Sequence, residues 1–229
     1  MSTSSKANPQ QSSVLFLGKA GDEHGSRALD YCRANFFEVV AHVGAWEDPL
    51  PPSLQHWHGD YIISYLSRWV VPESLLQKAN VAAINFHPAS PEYPGIGCNN
   101  FALYEEASEY GVTCHHMASK VDTGSIIAVK RFPIWQSDTV ASVLSRTYDY
   151  QLVLFYEVLD EILTGEGLPA SEETWSRKPF SRKQFDQLGK ITPDMSEAEI
   201  KRRIRAIQFG QWKPTLTVKG FTFELKDSS

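Results

Sequence analysis

Short apolar runs that stop at glycine or a polar residue alternate, over the first two-thirds of the chain, with stretches whose apolar residues recur every three or four positions. Residues 14–18 read as a buried strand ending at Gly18, and residues 27–37 as a helix with Ala28, Leu29, Cys32 and Ala34 on one stripe. Residues 38–44 and 60–65 are two further strands, separated by a connection containing proline and tryptophan, and residues 82–86 are a fourth. A capped helix over 99–110, strands over 111–117 and 125–133, and a long amphipathic helix over 138–163 follow. Strands alternating with helices predict an α/β fold with a mainly parallel sheet covered on both faces.

Beyond Gly165 the rhythm changes. Residues 172–190 are polar and aromatic, residues 196–209 are helical with Ile200, Ile204 and Ile207 on one stripe, and two short strands meet around Lys219 and Gly220. Leu216 and Val218 alternate against Phe221, Phe223 and Leu225, which predicts a hairpin with one buried face. The chain therefore divides into a polar tail (1–13), one main domain (14–165) and a small appendage of helix and β-hairpin (166–229). An exposed hairpin edge can pair two subunits, so a homodimer is expected.

Composition narrows the class. With 229 residues, 42% hydrophobic and 12% aromatic, the chain suffices for one α/β core and a packed interior but not for two large domains. No apolar run reaches the roughly 18 residues of a membrane span, and the polar start lacks the centre of a secretory signal, so a cytoplasmic protein without a membrane partner is expected. Cys32, Cys98 and Cys114 form no C-x-x-C pair, which argues against a disulfide framework or a zinc site; no metal is expected. A net charge of −5 disfavours a nucleic-acid partner.

The candidate chemistry sits at the end of the strand 82–86. Asn85 and His87 are two apart, so an amide and an imidazole emerge together where Pro88, Pro91, Pro94, Gly95 and Gly97 force the chain out of the sheet. Strand-to-loop exits of this kind are where α/β folds place ligands. Asp122, in Asp122-Thr123-Gly124, returns from a later loop and can orient the imidazole. An amide donor, a histidine and a carboxylate suit transfer of an acyl-like group whose oxygen becomes negative in the transition state.

The strings Ala83-Ile84-Asn85-Phe86-His87-Pro88, Tyr93-Pro94-Gly95, Gly111-Val112-Thr113-Cys114-His115-His116-Met117 and Val121-Asp122-Thr123-Gly124-Ser125-Ile126-Ile127 resemble the core of the enzymes that transfer a formyl group from N10-formyltetrahydrofolate. The resemblance covers residues 60–135 and implies a Rossmann-like formyltransferase core. It assigns catalysis to Asn85, His87 and Asp122, with Asn85 and a protonated His87, kept charged by Asp122, donating to the oxyanion. It implies N10-formyltetrahydrofolate as co-substrate, its pterin held by the loop carrying Tyr65, Leu66, Trp69 and Val71 and closed by Lys120 and Val121. Lys19 and Tyr93 fall on the acceptor side by topology, and His115 either lines the site or packs beneath it.

Departures from the family's branches bear on the acceptor. The acidic Asp22-Glu23 replaces the glycine- and serine-rich phosphate loop of the glycinamide ribonucleotide branch. A loop reading Ala89-Ser90-Pro91-Glu92-Tyr93-Pro94-Gly95 and a chain ending at Ser229 differ from the methionyl-tRNA branch, and residues 1–13 leave no room for the regulatory domain of the hydrolases. The remaining similarity is to the sugar N-formyltransferases, implying a nucleotide-linked amino sugar such as a dTDP-4-amino-4,6-dideoxyhexose, formylated for surface polysaccharides. Arg177, Lys178, Arg182 and Lys183, interleaved with Trp175, Phe180 and Phe185, have a composition able to meet a diphosphate and stack a base, or else to cover the core. A folate- or nucleotide-binding module without activity is the competing class, and it would not need the trio.

Overall fold

A computed structural model describes residues 11–226. Of the expected polar tail, residues 1–10 lie outside the described residues. The sheet begins at Ser13, one residue before the predicted boundary, because its N–H and hydroxyl both reach Asp60 Oδ2 (2.8 and 3.1 Å).

Six strands form the main sheet: β1 (Ser13–Lys19), β2 (Glu38–Gly44), β3 (Gly59–Tyr65), β4 (Ala79–His87), β5 (Glu109–His116) and β6 (Ile126–Pro133), in the order β2-β1-β3-β4-β5-β6. Pairing is parallel from β2 through β4 and antiparallel from β4 to β6. The mainly parallel α/β sheet expected from the pattern is the one observed. Because side chains alternate across a strand, Val14 and Phe16 of β1 face one layer, with α1 (Glu23–Asn35) and α4 (Val140–Leu163), while Leu15 and Leu17 face the other, under α2 (Glu73–Leu76) and a 3-10 turn over Pro52–His56. The Asp22 side chain caps α1 by accepting from the Gly25 N–H (2.7 Å), so that helix starts before its apolar stripe.

A third cluster joins the appendage to the sheet. Phe101 and Leu103 of α3 (Cys98–Tyr104), Phe185 and Leu188 of α5 (Arg182–Leu188) and Ala206 and Ile207 of α6 (Glu197–Ile207) share one core with Tyr93, Tyr110 and Phe132. The helix predicted over 99–110 ends early. Glu106 turns into the left-handed region (φ 55°), the Ala107 N–H returns to the Ala102 carbonyl (3.0 Å), and Glu109 already opens β5. Helix α5, unforeseen inside the polar stretch, is opened by a reciprocal capping box between Ser181 and Gln184.

The last elements are β7 (Lys190–Ile191), β8 (Thr215–Val218) and β9 (Phe221–Glu224), in a small second sheet. The hairpin forms where it was predicted, but the expected buried face is open. Phe221 is 71% exposed and Phe223 58%, because no element of the described chain packs over β9.

Candidate active site

β4 delivers the two neighbours predicted from spacing. His87 is buried at its carboxyl end, with Nδ1 3.4 Å from Asp122 Oδ1 and Nε2 3.5 Å from the Tyr93 carbonyl. Asp122, 4% exposed, sits on left-handed backbone (φ 50°) and takes the Gly95 N–H on Oδ2 at 2.9 Å. Gly124 completes the turn because a Cβ there would fall 1.8 Å from the His116 carbonyl oxygen. The imidazole and the carboxylate thus face each other, and Asn85 lines the same cleft.

Two residues join them from elements whose meeting the sequence does not specify. His115 of β5 lies opposite Asn85 in the β4/β5 register; its Nε2 is 3.1 Å from Asn85 Nδ2 and 3.5 Å from Asp122 Oδ1. The Trp175 ring meets both imidazoles edge-on, at 5.8 Å from His87 and 5.1 Å from His115, and its Nε1 donates to the Gly124 carbonyl (2.8 Å). Backbone bonds from Ser176 to Pro91 and from Phe180 to Pro94 hold the segment carrying Trp175 against the loop that leaves β4.

Electrostatics reverse one expectation. Burial lowers the His87 pKa by more than the facing Asp122 raises it, so the imidazole titrates below its ordinary 6.5 and is neutral at pH 7. Burial alone would raise the Asp122 carboxyl. The imidazoles of His87 and His115 and the Gly95 N–H outweigh it and hold the pKa below the usual carboxylate value, so Asp122 is ionised.

Asn85, His87, His115 and Asp122 form the floor of a cleft of about 310 Å³. Leu66, Trp69 and Val71 line one wall, Met117, Lys120 and Val121 another, and Lys19, Arg68 and Tyr148 are also on its surface. Leu66 has a positive φ of 53°, and Trp69 lies over Gly44 with its Nε1 donating to the Asp48 carbonyl (2.8 Å). Apolar walls on both sides of a polar floor fit a flat heterocycle whose reactive atom must reach His87. Lys19 is also 3.6 Å from Asp22 Oδ2. Among the described residues, no group of three His, Cys, Asp or Glu side chains is arranged to hold a metal ion.

Two predicted side chains are not in the cleft lining. Tyr65 is fully buried against Phe86 and Phe155, since the alternation of β3 turns it into the layer under α4. The Tyr93 ring packs on Tyr110 beneath Arg177, and burial pushes its phenol up to about 12; only its carbonyl reaches His87. The basic, aromatic stretch also differs from a base-stacking platform. Phe180 stacks on Phe101 (3.8 Å), Phe185 is core, Arg177 forms two bonds to Glu105 (2.7 and 3.1 Å), and Arg182 lies over Phe185 and Trp212.

Comparison with known proteins adds a family. A sequence model described as formyl transferase matches residues 33–159. The chain is 29% identical over 150 residues to a methionyl-tRNA formyltransferase of Levilactobacillus brevis, covering 65% of this chain and 48% of that protein. It is 28% identical over 158 residues to a GDP-perosamine N-formyltransferase of Brucella melitensis, covering 69% and 60%. The chain thus spans between about half and three-fifths of these relatives' length. Its fold matches a 4-N formyltransferase of Francisella tularensis (TM-score 0.73, 16% identity, 96% of this chain and 97% of that one). It also matches an N-formyltransferase of Helicobacter canadensis solved with folinic acid and dTDP-3-aminofucose (TM-score 0.68, 20% identity, 90% and 84%).

Proposed function

The chain belongs to the formyl transferase family, and from that premise we propose that it moves a formyl group from N10-formyltetrahydrofolate to the amine of a nucleotide-linked amino sugar. The observation that carries the reading is the meeting of Asn85, His87 and Asp122 on the floor of one cleft, with His87 Nδ1 3.4 Å from Asp122 Oδ1.

In this reading Asn85 donates an N–H to the formyl oxygen as the amine adds and that oxygen gains charge; donors of this kind contribute about 10²–10³ in kcat. His87 enters the reaction neutral, takes the proton of the attacking nitrogen at Nε2, where the Tyr93 carbonyl 3.5 Å away favours the protonated ring, and returns it to the departing folate nitrogen. Asp122 steadies the imidazolium formed in between and keeps the ring oriented. Leu66, Trp69, Val71, Lys120 and Val121 enclose the pterin, and Lys19 faces the acceptor.

The sugar acceptor is supported by the Brucella relative, a GDP-perosamine N-formyltransferase, and by the Helicobacter fold, solved with dTDP-3-aminofucose, each similar over most of the described chain. The methionyl-tRNA relative favours a second reading, against which stands the net charge of −5. Within the sugar reading the first acceptor to test is a dTDP-4-amino-4,6-dideoxyhexose, a precursor for surface polysaccharide, and the enzyme works in the cytoplasm as a homodimer joined through the open β8/β9 face.

The test is release of tetrahydrofolate from N10-formyltetrahydrofolate with dTDP-, UDP- and GDP-linked amino sugars, with methionyl-tRNA and with no acceptor. Turnover that requires an amino sugar and disappears in His87→Ala supports the reading. Turnover with tRNA alone supports the second reading, acceptor-independent release a hydrolase, and folate binding without release a binding module.

A further inference from the structure

We propose that His115 is a positioning residue that fixes which way the Asn85 amide faces, through a hydrogen bond accepted at Nε2 from Asn85 Nδ2. The inference deepens the function proposed above and rests on it for its kinetic consequence.

His115 is 2% exposed, and both ring nitrogens are in contact with polar atoms. Nδ1 lies 2.8 Å from the His116 carbonyl oxygen. A carbonyl only accepts, so Nδ1 carries a hydrogen, and in a neutral ring Nε2 is then a bare acceptor. The atom facing Nε2 at 3.1 Å is Asn85 Nδ2, a donor. Turning the amide over would set Oδ1 against the Nε2 lone pair, acceptor against acceptor. The tautomer of His115 therefore selects one of the two amide orientations, a choice that the shape of the side chain leaves open. One N–H of Asn85 is committed to His115, and the second is left for the formyl oxygen.

The register makes the pairing possible, because Asn85 and His115 are direct partners on antiparallel β4 and β5. Trp175 covers the imidazole edge-on at 5.1 Å. Asp122 Oδ1, 3.5 Å from Nε2, competes for that nitrogen, but a bond to it needs a second ring hydrogen. The carboxylate already has the Gly95 N–H at 2.9 Å and faces His87 Nδ1 at 3.4 Å.

The experiment is a double-mutant cycle read together with the ring tautomer. His115→Leu is expected to lower kcat by about tenfold to a hundredfold while the KM for each substrate stays within about twofold. His115→Gln, which offers an amide oxygen to Asn85, should recover most of the loss. In an Asn85→Ala background His115→Leu should cost less than about twofold more. A full additive loss in that background, or wild-type kcat in His115→Leu, overturns the proposal. Imidazole ¹⁵N NMR of the wild-type protein decides it independently of any turnover. A protonated Nδ1 with a bare Nε2 at neutral pH supports it, and a protonated Nε2 overturns it even if no acceptor is ever found; loss of formyl transfer with all acceptors sinks only the function.

Discussion

Gly95 donates its backbone N–H to Oδ2 of Asp122 at 2.9 Å, and so the loop that leaves β4 holds the carboxylate that faces His87. Gly95 has φ 93° and bridges to Phe180, where a Cβ would fall 2.5 Å from both the backbone N and O. Gly95→Ala is expected to destabilise the protein by about 2–4 kcal/mol, through left-handed strain and the collision with Phe180 backbone. It should also lower kcat more than tenfold by releasing Asp122. Urea unfolding with steady-state kinetics checks both, and an alanine variant as stable and active as the parent refutes the relationship.

Removing the charge at Asp122 separates its chemistry from its packing. Asp122→Asn keeps an acceptor for the Gly95 N–H but leaves nothing to balance an imidazolium at His87. A fall in kcat of about 10²-fold or more is expected, with folate affinity within a fewfold, measurable by turnover and by equilibrium binding.

The lowered His87 pKa gives stability a pH signature. The folded protein prefers the neutral ring, so this contribution is complete above the ordinary value of 6.5. It is lost as the pH falls from there towards the depressed folded pKa, because only the unfolded chain then takes the proton. The slope attributable to one such group approaches about 1.4 kcal/mol per pH unit. Urea unfolding between pH 5 and 8 should show a shallower acid decline in His87→Asn than in the parent, and identical slopes contradict the assignment.

Trp175 covers the imidazoles of both His87 and His115, and burial is the largest cause lowering the His87 pKa. Trp175→Ala should therefore raise the His87 pKa as well as reduce kcat, whereas Trp175→Phe should change each much less. Imidazole NMR titration of the three proteins measures the effect.

Phe221 and Phe223 leave an apolar face open on β9. If the homodimer forms there, Phe221→Glu with Phe223→Glu should give monomers in light scattering without altering the far-ultraviolet circular dichroism. A parent already monomeric at micromolar concentration would remove the expectation.

What was legible in the sequence follows a physical division. Apolar periodicity and glycine stops are local, and they sufficed for the six main strands, for α4 and for the position of the hairpin, because each element's backbone bonding is decided largely within a few residues. Asn85 and His87 share a strand, so their joint emergence also followed from spacing. Ser181 and Gln184 carried a cap signal for α5 that the aromatic and basic residues around it obscured.

Distance along the chain is where that legibility ended. His115 reaches Asn85 only because antiparallel pairing sets β5 in one register against β4, and Trp175 reaches the histidines only because its segment is tied to the loop after β4. Tyr65 and Tyr93 lie in the core rather than the cleft for reasons of the same long-range kind: strand alternation turns Tyr65 under α4, and the loop after β4 packs the Tyr93 ring on Tyr110. By itself the sequence determined the main elements and the three chemical groups carried by β4 and by the turn before β6. Tertiary packing decided which groups meet, which are dry, and that burial rather than the neighbouring carboxylate governs His87, since desolvation depends on everything that surrounds a side chain.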